Sequence, residues 1–369
     1  MRVKLEDVCE ILDNRRVPIT TANRTHGEYP YYGANGIQDY VNDYIFDDEL
    51  VLLAEDGGNF GSKEKPIAYR VSGKCWVNNH AHVLKPKSCI DADFLCYSIM
   101  FYDVSGLVNG ATRQKLTQAD MRRMEIELPT YERQKEIVHV LDSTVTIIKA
   151  YKRQLTKLDE LVKARFVEMF GTYPDNPFGW NTGKIQDVVS NVRYGSSRPA
   201  VEGGKYPYLR MNNITYAGEL DLTDTKRIDV PDSELDKCTV QRGDVLFNRT
   251  NSKELVGKTC VYNRDDMMVL AGFVIRVRVN ERILPEFLVA FLNTAFSKQM
   301  LLGMCKTAIG QANINAKEMQ NIGLYIPPIA LQEQFVDLKK QTDKSKVEVQ
   351  KALDQTQLLF DSLMQQYFG

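Results

Sequence analysis

The sequence lacks several features that mark common protein classes. Its 369 residues contain no run of about 18 uncharged apolar residues, so no membrane span is expected. The charged start from Met1 to Asp7 lacks the apolar segment of a signal peptide, and residence in the cytoplasm is therefore the expectation. Seven cysteines are scattered without a C-x-x-C pair, which argues against a disulfide framework or a zinc ribbon and favours buried, reduced thiols.

The sequence also lacks an excess of charge of either sign. A formal net charge of −1 is not the basic balance that usually indicates a nucleic-acid-binding domain. Because total charge averages over all surfaces, a basic groove can still coexist with acidic outer faces. With 43% hydrophobic and 26% charged residues, the chain has a globular composition and is long enough for two domains with an extended element between them.

What the sequence does contain is an internal repeat. Residues 168–171 and 366–369 both end in Phe-Gly, and the offset between them is 198 (369 minus 171). At the same offset Gln134 matches Gln332, and Pro129 matches Pro327. Residues 124–128 and 322–326 alternate apolar and polar side chains, as in a half-buried strand, and residues 117–120 and 315–318 have the spacing of a helix cap. So many features in one ungapped register indicate a duplication.

The front parts of the two copies match more loosely. Residues 5–8 correspond to 185–188, residues 29–31 to 206–208, and residues 51–53 to 245–247. The offset changes between these anchors, so insertions separate them. Each copy thus has a variable front part and a back part of constant length.

The constant parts are predicted to be long helices. From residue 132 to 170 the apolar positions alternate steps of four and three, which is the heptad seam of a coiled coil. Each helix would span roughly 50–60 Å at about 1.5 Å per residue. The second copy keeps the pattern but weakens over residues 342–346, where we expect a solvated turn. Two equal copies favour an antiparallel pair that places the variable domains at opposite ends.

The variable parts read as mixed α and β structure. Residues 273–279 form an alternating strand with arginines on its polar face. Pro285 opens a helix with one apolar side, and residues 93–102 are its counterpart in the first copy. Residues 171–179 are dense in turn formers and mark the boundary between the copies.

These features together resemble the DNA-specificity subunits of Type I restriction–modification systems, over nearly the whole chain. The resemblance rests on two copies of one motif, a strand and proline followed by Glu132 and Gln134 in the first copy and residues 324–328 followed by Gln332 and Gln334 in the second. The Phe-Gly ends of both helices and the linker at residues 178–180 add to it. The first copy has Pro129-Thr130 in place of the family's usual double proline, which affects a turn more than a function.

The resemblance implies an α+β fold, with two tandem mixed α/β target-recognition domains separated by an antiparallel pair of long coiled-coil helices. The expected segments are recognition domains at residues 1–130 and 172–328 and spacer helices at residues 131–171 and 329–369. It further implies a non-catalytic subunit that reads a bipartite target in double-stranded DNA. Two methyltransferase subunits, and restriction subunits attached through them, would be its partners. No cofactor is expected in this chain, since S-adenosylmethionine and ATP would bind to the partner subunits.

Candidate DNA contacts are polar or glycine-rich loops near the repeat anchors, where side chains can donate to phosphates or base edges. Turn chemistry and ordinary solvated loops are the competing interpretations, and for the asparagines the two are evenly balanced. In the first copy the candidates are Tyr32, Gly33, Ala34, Asn35, Gly57, Asn59, Lys63, His80, His82, Arg113, Gln114 and Lys115. In the second copy they are Ser197, Arg198, Arg210, Asn212, Asn213, Arg249, Thr250, Asn251, Ser252, Lys253, Gln311 and Asn313.

His80 and His82, which flank Ala81, are also spaced as a pair of metal ligands could be. No third ligand is evident from the sequence, and a strand-edge or DNA-facing role is favoured, so no metal site is predicted.

Other functions leave different signatures. A methyltransferase should show a glycine-rich cofactor loop and an Asn/Asp-Pro-Pro-aromatic loop; residues 176–178 come nearest but lack the second proline. No Walker loop appears. Two alternatives stay open: the specificity subunit of a related system with a fused methyltransferase–nuclease, and a coiled-coil scaffold that binds only protein.

Overall fold

The computed structural model describes residues 1–110, 114–308 and 311–369. The chain forms two compact units. Unit 1 contains residues 1–152 and 350–369, and unit 2 contains residues 153–349. Each of the two long helices is shared, because its first part belongs to one unit and its last part to the other.

Unit 1 begins with a small α/β domain. Its strands are β1 (Arg2–Lys4), β2 (Cys9–Ile11), β3 (His26–Gly33), β4 (Gly36–Val41), β5 (Phe46–Ala54), β6 (Ala68–Val77), β7 (Ala81–Pro86), β8 (Val108–Asn109), β9 (Lys115–Leu116) and β10 (Glu125–Glu127). Its helices are α1 (Leu5–Val8), α2 (Ala92–Ile99), α3 (Gln118–Arg122) and the start of α4 (Tyr131–Phe170).

The main sheet of unit 1 has six strands in the order β2-β7-β5-β6-β3-β4. The central strand β5 is buried from Leu50 to Ala54, as expected for a strand whose two faces are both covered. Helix α2 begins at Asp91, whose carboxylate accepts hydrogen bonds from the backbone amides of Asp93 and Phe94.

Unit 2 contains a larger set of shorter strands. They are β11 (Asn181–Lys184), β12 (Val189–Tyr194), β13 (Tyr206–Leu209), β14 (Lys226–Ile228), β15 (Thr239–Val240), β16 (Val245–Asn248), β17 (Thr250–Asn251), β18 (Thr259–Val261), β19 (Met268–Leu270), β20 (Val274–Val279), β21 (Lys306–Ala308), β22 (Gln311–Asn313) and β23 (Gly323–Ile326). The helices are α5 (Asp232–Cys238), α6 (Pro285–Leu292), α7 (Ala295–Met304), α8 (Ala316–Gln320) and α9 (Ile329–Phe368). The sheets are β12-β20-β16-β18, β14-β13-β19-β15, β17-β22-β21 and β11-β23.

The duplication is visible in the strand pairing. The tyrosine anchors lie on β3 and β13, and each of these strands pairs with its successor antiparallel and with a later strand parallel. The strand before each proline, β10 or β23, pairs antiparallel with the first strand of its own unit. Thr117 and Asn315 cap α3 and α8 through hydrogen bonds to the amides of Asp120 and Glu318, as the spacing predicted.

Two buried glutamines at matching positions tie each long helix to its own domain. The Gln134 side chain accepts from the Asp91 amide and donates to the carbonyls of Cys89 and Pro129. The Gln332 side chain makes the same three kinds of hydrogen bond, with Leu284, Arg282 and Pro327. Both glutamines are fully buried, so these contacts satisfy backbone groups that water cannot reach.

The long helices run antiparallel. In unit 1 the Arg133 guanidinium, near the start of α4, lies 5.8 Å from the Tyr367 ring near the end of α9. In unit 2 the Phe166 ring, near the end of α4, lies 5.2 Å from the Phe335 ring near the start of α9. Gly171 ends α4 at φ 81°, a conformation that suits glycine, and a Cβ there would lie 2.4 Å from the Pro177 ring.

The predicted polar face of β20 is covered: Arg276 is buried and donates to the Thr239 carbonyl, while Arg278 pairs with Asp244. Two expectations are corrected by the structure. Helix α9 continues through residues 342–346, where the sequence suggested a turn, because Thr342 is buried and Lys346 Nζ pairs with Asp159 of α4 at 2.8 Å. Two of the seven cysteines are not buried, since Cys89 is exposed and Cys305 half-buried.

Among the residues that the structure describes, no single helix has both the length and the apolar character needed to cross a membrane. Only α6 and α7 together, which meet at an angle of 71°, meet that criterion by length and composition.

Candidate nucleic-acid interface

In unit 1, the loop that follows the central strand β5 meets the segment that precedes α3. The Leu116 amide donates to the Glu55 carbonyl at 2.7 Å, and Asp56 forms an isolated antiparallel bridge with Lys115. Two parts of the sequence that were predicted separately as DNA contacts therefore lie side by side.

Unit 2 repeats this arrangement at matching positions. There β17 pairs with β22, so that Thr250 lies opposite Asn313. Thr250 lies five residues after Val245, as Asp56 lies five after Val51, and Asn313 follows Lys115 at the constant offset of 198 (313 minus 115). The same backbone pairing thus brings together the same two polar segments in both copies, although their side chains differ. We call these two places the polar edge of unit 1 (residues 55–59 and 114–116) and the polar edge of unit 2 (residues 249–253 and 311–313).

Two further candidates join the polar edge of unit 1. The Asn35 side-chain amide donates to the Gly57 carbonyl at 2.9 Å, and His80 Nδ1 lies 2.7 Å from Asp56 Oδ1. Gly57 has φ 63°, a backbone conformation that residues with a side chain rarely adopt, and it is exposed.

In the second segment of the polar edge of unit 1, Gln114 and Lys115 are exposed, and Lys115 Nζ lies 2.9 Å from Glu55 Oε1. Arg113 falls outside the described residues.

The rest of this loop is a turn. Asn59 is half-buried, and its side-chain amide lies 3.4 Å from the Pro66 carbonyl. Its own carbonyl accepts from the Ser62 amide. Lys63, at the tip of the turn, is exposed.

The assignment of His82 as a DNA contact is wrong for this structure, because its side chain is fully buried. Its Nδ1 lies 2.7 Å from Asp13 Oδ2, and its Nε2 lies 3.0 Å from the Leu116 carbonyl. Both ring nitrogens therefore have a polar partner inside the protein. His82 therefore supports the polar edge from beneath.

Asp13 and Glu55 supply the negative charge around His82. Burial alone would raise the pKa of Asp13, but hydrogen bonds from His82, Gln118 and the Val83 amide lower it below its usual value. Burial would also raise the pKa of Glu55. Hydrogen bonds from Arg16 and Lys115 outweigh this effect and lower the pKa below its usual value. Both groups are held as carboxylates.

The same cluster has the composition of a metal site. Donor atoms of Asp13, Glu55 and His82 all lie within 4.8 Å of one another. However, Arg16 Nη1 lies 2.6 Å from Glu55, and Lys115 pairs with the other carboxylate oxygen. Because these cations already neutralise the carboxylates, the contacts favour an ion-pair network over a metal site.

Three of the first-copy candidates are largely withdrawn from the surface. Gly33 and Ala34 are buried, and Tyr32 is half-buried with its ring 5.8 Å from that of Tyr69. The Gly33 carbonyl accepts from the Tyr69 hydroxyl. These residues shape the turn that presents Asn35; the hypothesis that Gly33 and Ala34 contact DNA directly is corrected.

In the polar edge of unit 2, Arg249 is the most distinctive side chain. Its guanidinium carbon lies 4.8 Å from the centroid of the Tyr194 ring.

The other residues of this edge differ in exposure. Asn251 is half-buried, with its side-chain oxygen accepting from the Ser252 amide, while Ser252 and Lys253 are exposed. Thr250 is buried, so the hypothesis that it contacts DNA directly is corrected to a structural role. Asn313 is half-buried, and its Oδ1 has no hydrogen-bond partner among the residues that the structure describes; Gln311 is placed on β22, and its side chain is not described.

Ser197 and Arg198 border an open cavity of about 540 Å³ beside Tyr194. Ser197 is exposed, and Arg198 forms a two-point contact with the Glu234 carboxylate at 2.7 and 3.2 Å. Arg193 and Lys237 also line the cavity, so cations outnumber the single acid Glu234. Such a concave cationic surface suits a phosphate backbone.

The asparagine pair at 212–213 divides between the two interpretations. Asn212 is exposed and stays a candidate contact. Asn213 is buried, accepting from the Arg210 amide and donating to the Asp221 carbonyl, so it serves turn chemistry and is corrected. Arg210 itself pairs with Asp224 at 2.9 Å.

Sequence reasoning missed Tyr194 and the support network of Asp13 and Arg16. Tyr194 lies three residues before the predicted contact Ser197, and its aromatic character next to glycine and serine was the available signal. No local pattern marks Asp13, because its partners His82 and Gln118 are 69 and 105 residues away.

Comparison with known proteins decides the family. The family model described as "Type I restriction modification DNA specificity domain" matches residues 1–160 and again residues 177–356. The chain belongs to this family. The two matched stretches correspond to the two copies of the repeat.

Individual relatives agree with the family. The chain is 38% identical over 143 residues to a putative type I restriction enzyme specificity subunit of Haemophilus influenzae, an alignment covering 39% of this chain and 37% of that protein. It is 23% identical over 344 residues to the Type I restriction enzyme EcoKI specificity subunit of Escherichia coli K12, covering 87% and 74% respectively.

Solved structures show the same fold. The S subunit of a Type I restriction–modification system from M. genitalium matches with a TM-score of 0.58 and 13% identity, covering 100% of this chain and 96% of that one. A chain from a structure of type I R-M complex assembly matches with a TM-score of 0.61 and 16% identity, covering 100% and 97%.

Proposed function

We propose that this specificity subunit binds a bipartite site in double-stranded DNA, with one half-site read by each recognition domain. The observation that carries the proposal is the recurrence of the polar edge in both units on the same backbone pairing. Family membership alone would suggest a role in specificity. The recurring edge supports the proposal that each domain contacts its half-site at this place.

The two edges differ in the groups that they offer. Unit 1 presents Asn35, His80 and Lys115 around an exposed glycine, whereas unit 2 presents Arg249, Asn251 and Lys253. Base pairs differ in the donors and acceptors that they expose in the major groove. A shared scaffold with different side chains therefore supports two unlike half-sites.

The long helices support the proposal of protein partners. Several apolar side chains on them are exposed in this single chain, with Val347 65%, Leu358 68% and Leu359 52% exposed. Leu358 and Leu359 are adjacent, and contiguous exposed apolar side chains are typical of protein–protein surfaces. We propose that methyltransferase subunits dock here, one per repeat, and that restriction subunits join through them. Catalysis, with S-adenosylmethionine and ATP, would then belong to those partners.

Selection from a DNA library tests the function. The full-length chain, alone and in complex with its methyltransferase, would be incubated with duplexes of randomised sequence, and bound molecules would be sequenced. We expect two short specified segments separated by a gap of constant length. Binding without sequence preference would contradict the proposal. Tight binding to the methyltransferase without DNA binding would instead support the protein-only scaffold.

A further inference from the structure

Arg249 differs from most arginines of unit 2 in lacking a polar partner. Arg198, Arg210 and Arg242 each pair with an acid. Arg249 forms no ion pair with any residue that the structure describes, and its Nε is buried without a hydrogen-bond partner. A guanidinium carries five N–H donors, and because Arg249 is only partly buried, the donors that the protein does not use are available to a ligand.

The backbone of Arg249 is held on both sides. Its amide donates to the Phe273 carbonyl at 3.0 Å, and its carbonyl accepts from the Ile314 amide at 2.9 Å. The Cα position is therefore fixed between β20 and the segment that precedes α8. The side chain leaves the sheet from a defined point.

Tyr194 fixes the guanidinium in turn. The ring lies 4.8 Å from the guanidinium carbon, which is within the range of a cation–π contact. The Tyr194 hydroxyl accepts a hydrogen bond from the Ala316 amide at 2.9 Å, so the ring is anchored at its far end. Tyr194 is 42% exposed, which places the pair at the surface.

We propose that Arg249, stacked on Tyr194, recognises one guanine in the half-site of the second recognition domain. This inference rests on the proposed function and names the chemistry of one base within it. Guanine exposes two acceptors in the major groove, N7 and O6, which match the paired donors of one guanidinium edge. A side chain whose position is already fixed loses little conformational entropy on binding.

A phosphate is the competing ligand for the same group. Phosphate contacts need charge but no particular plane, and exposed Arg193 beside Tyr194 meets that need without a stacking partner. The Tyr194 ring fixes the orientation of the Arg249 guanidinium, which a contact to phosphate does not require. It therefore favours reading a base edge.

The experiment is the same library selection, carried out with variants of the full-length chain in its methyltransferase complex. Arg249→Lys keeps the charge and removes the two-donor fork, and Tyr194→Leu removes the ring while leaving Arg249 in place. Arg242→Lys, which changes an exposed arginine paired with Asp265, is the matched control. Thermal melting followed by circular dichroism confirms that each variant is folded.

We expect Arg249→Lys to lower the preference for guanine at one position of one half-site by about 10- to 100-fold. Tyr194→Leu should weaken the same preference, and Arg242→Lys should reproduce the wild-type motif. Should Arg249→Lys fail to fold, the Tyr194→Leu result carries the test with the same expectation.

Two results would overturn the inference. The first is an unchanged motif in Arg249→Lys. The second is a uniform loss of affinity for all sequences, with the slope of log K against log salt reduced by about one, which indicates a phosphate contact. If the wild-type complex selects a bipartite motif, either result removes only the guanine assignment. If the wild-type complex selects no motif, the proposed function falls as well.

Discussion

At the scale of single residues, burial decides which of the proposed DNA contacts are open to a ligand and which belong to the interior. His80 lies in the turn before β7 and His82 lies on that strand, yet His80 is partly exposed beside Asp56 and His82 is enclosed by Asp13 and Leu116. The sequence offered both as equal candidates. Arg249 differs from His82 in this respect, because it is partly exposed and forms no ion pair with any residue that the structure describes.

The buried network around Asp13 predicts a pH dependence of stability. Its pKa is lowered in the folded state, so its contribution is complete above the unfolded value of about 3.9 and is lost as pH falls through that value toward the folded pKa. Asp13→Asn should lower the free energy of unfolding at pH 7 by about 3–5 kcal/mol, because it removes a buried carboxylate that contacts His82 Nδ1 and pairs with the largely buried Arg16. Below about pH 4 the difference between the variant and the wild type should shrink.

Urea denaturation at pH 7 and at pH 3.5 measures this effect. Asp47→Asn, a change at an exposed aspartate on β5, is the control and should leave stability nearly unchanged. An equal loss at both pH values would show that Asp13 acts through packing and not through its charge.

At the scale of elements, the polar edge is a short piece of sheet that two distant segments complete. In unit 2 the strands β17 and β22 lie about 60 positions apart in the sequence. Strand β22 also pairs with its sequence neighbour β21, whereas β17 pairs with the distant β22. Short strands of two or three residues carry little periodic signal, which is why the sequence predicted loops here.

Each polar edge should act on its own half-site alone. Replacing residues 249–253 with a glycine–serine loop should alter only the half-site of the second domain, at about 1–3 kcal/mol per lost base contact. The reciprocal replacement of residues 56–59 should alter only the other half-site. Competition binding with duplexes that carry single base changes measures both, and a loop replacement that disturbs both half-sites equally would argue against independent reading.

At the scale of the whole molecule, the two copies share a pair of 40-residue helices. Unit borders fall within these helices, at residues 152/153 and 349/350. Each helix is thus a continuous connection from one unit to the other. A continuous helix transmits a change in its length directly, whereas a flexible linker would absorb it.

Helix length should therefore set the gap between half-sites. Seven residues inserted between Lys152 and Arg153, matched by seven between Val349 and Gln350, keep the heptad phase and add about 10 Å to each helix. The selected motif should keep both half-sites while its gap grows by about three base pairs, at about 3.4 Å per base pair. Library selection on the inserted variant provides the measurement, and an unchanged gap would refute the spacer role of the helices.

The sequence by itself determined the duplication, the two long helices, the capped helices and the strands before the prolines. These features depend on local periodicity and on a register that stays constant at 198 residues, so they can be read without coordinates. The antiparallel pairing also followed, because two equal apolar seams in one chain satisfy each other.

Only the tertiary structure decided which candidate side chains face outward and which are enclosed. His82, Asn213 and Thr250 look like their exposed neighbours in sequence, but strands from remote positions cover them. The stacking of Arg249 on Tyr194 joins residues 55 positions apart, and no local pattern predicts it. Burial and side-chain partnership arise from long-range packing, and in this protein they separate the enclosed residues of each polar edge from the exposed ones that are proposed to contact DNA.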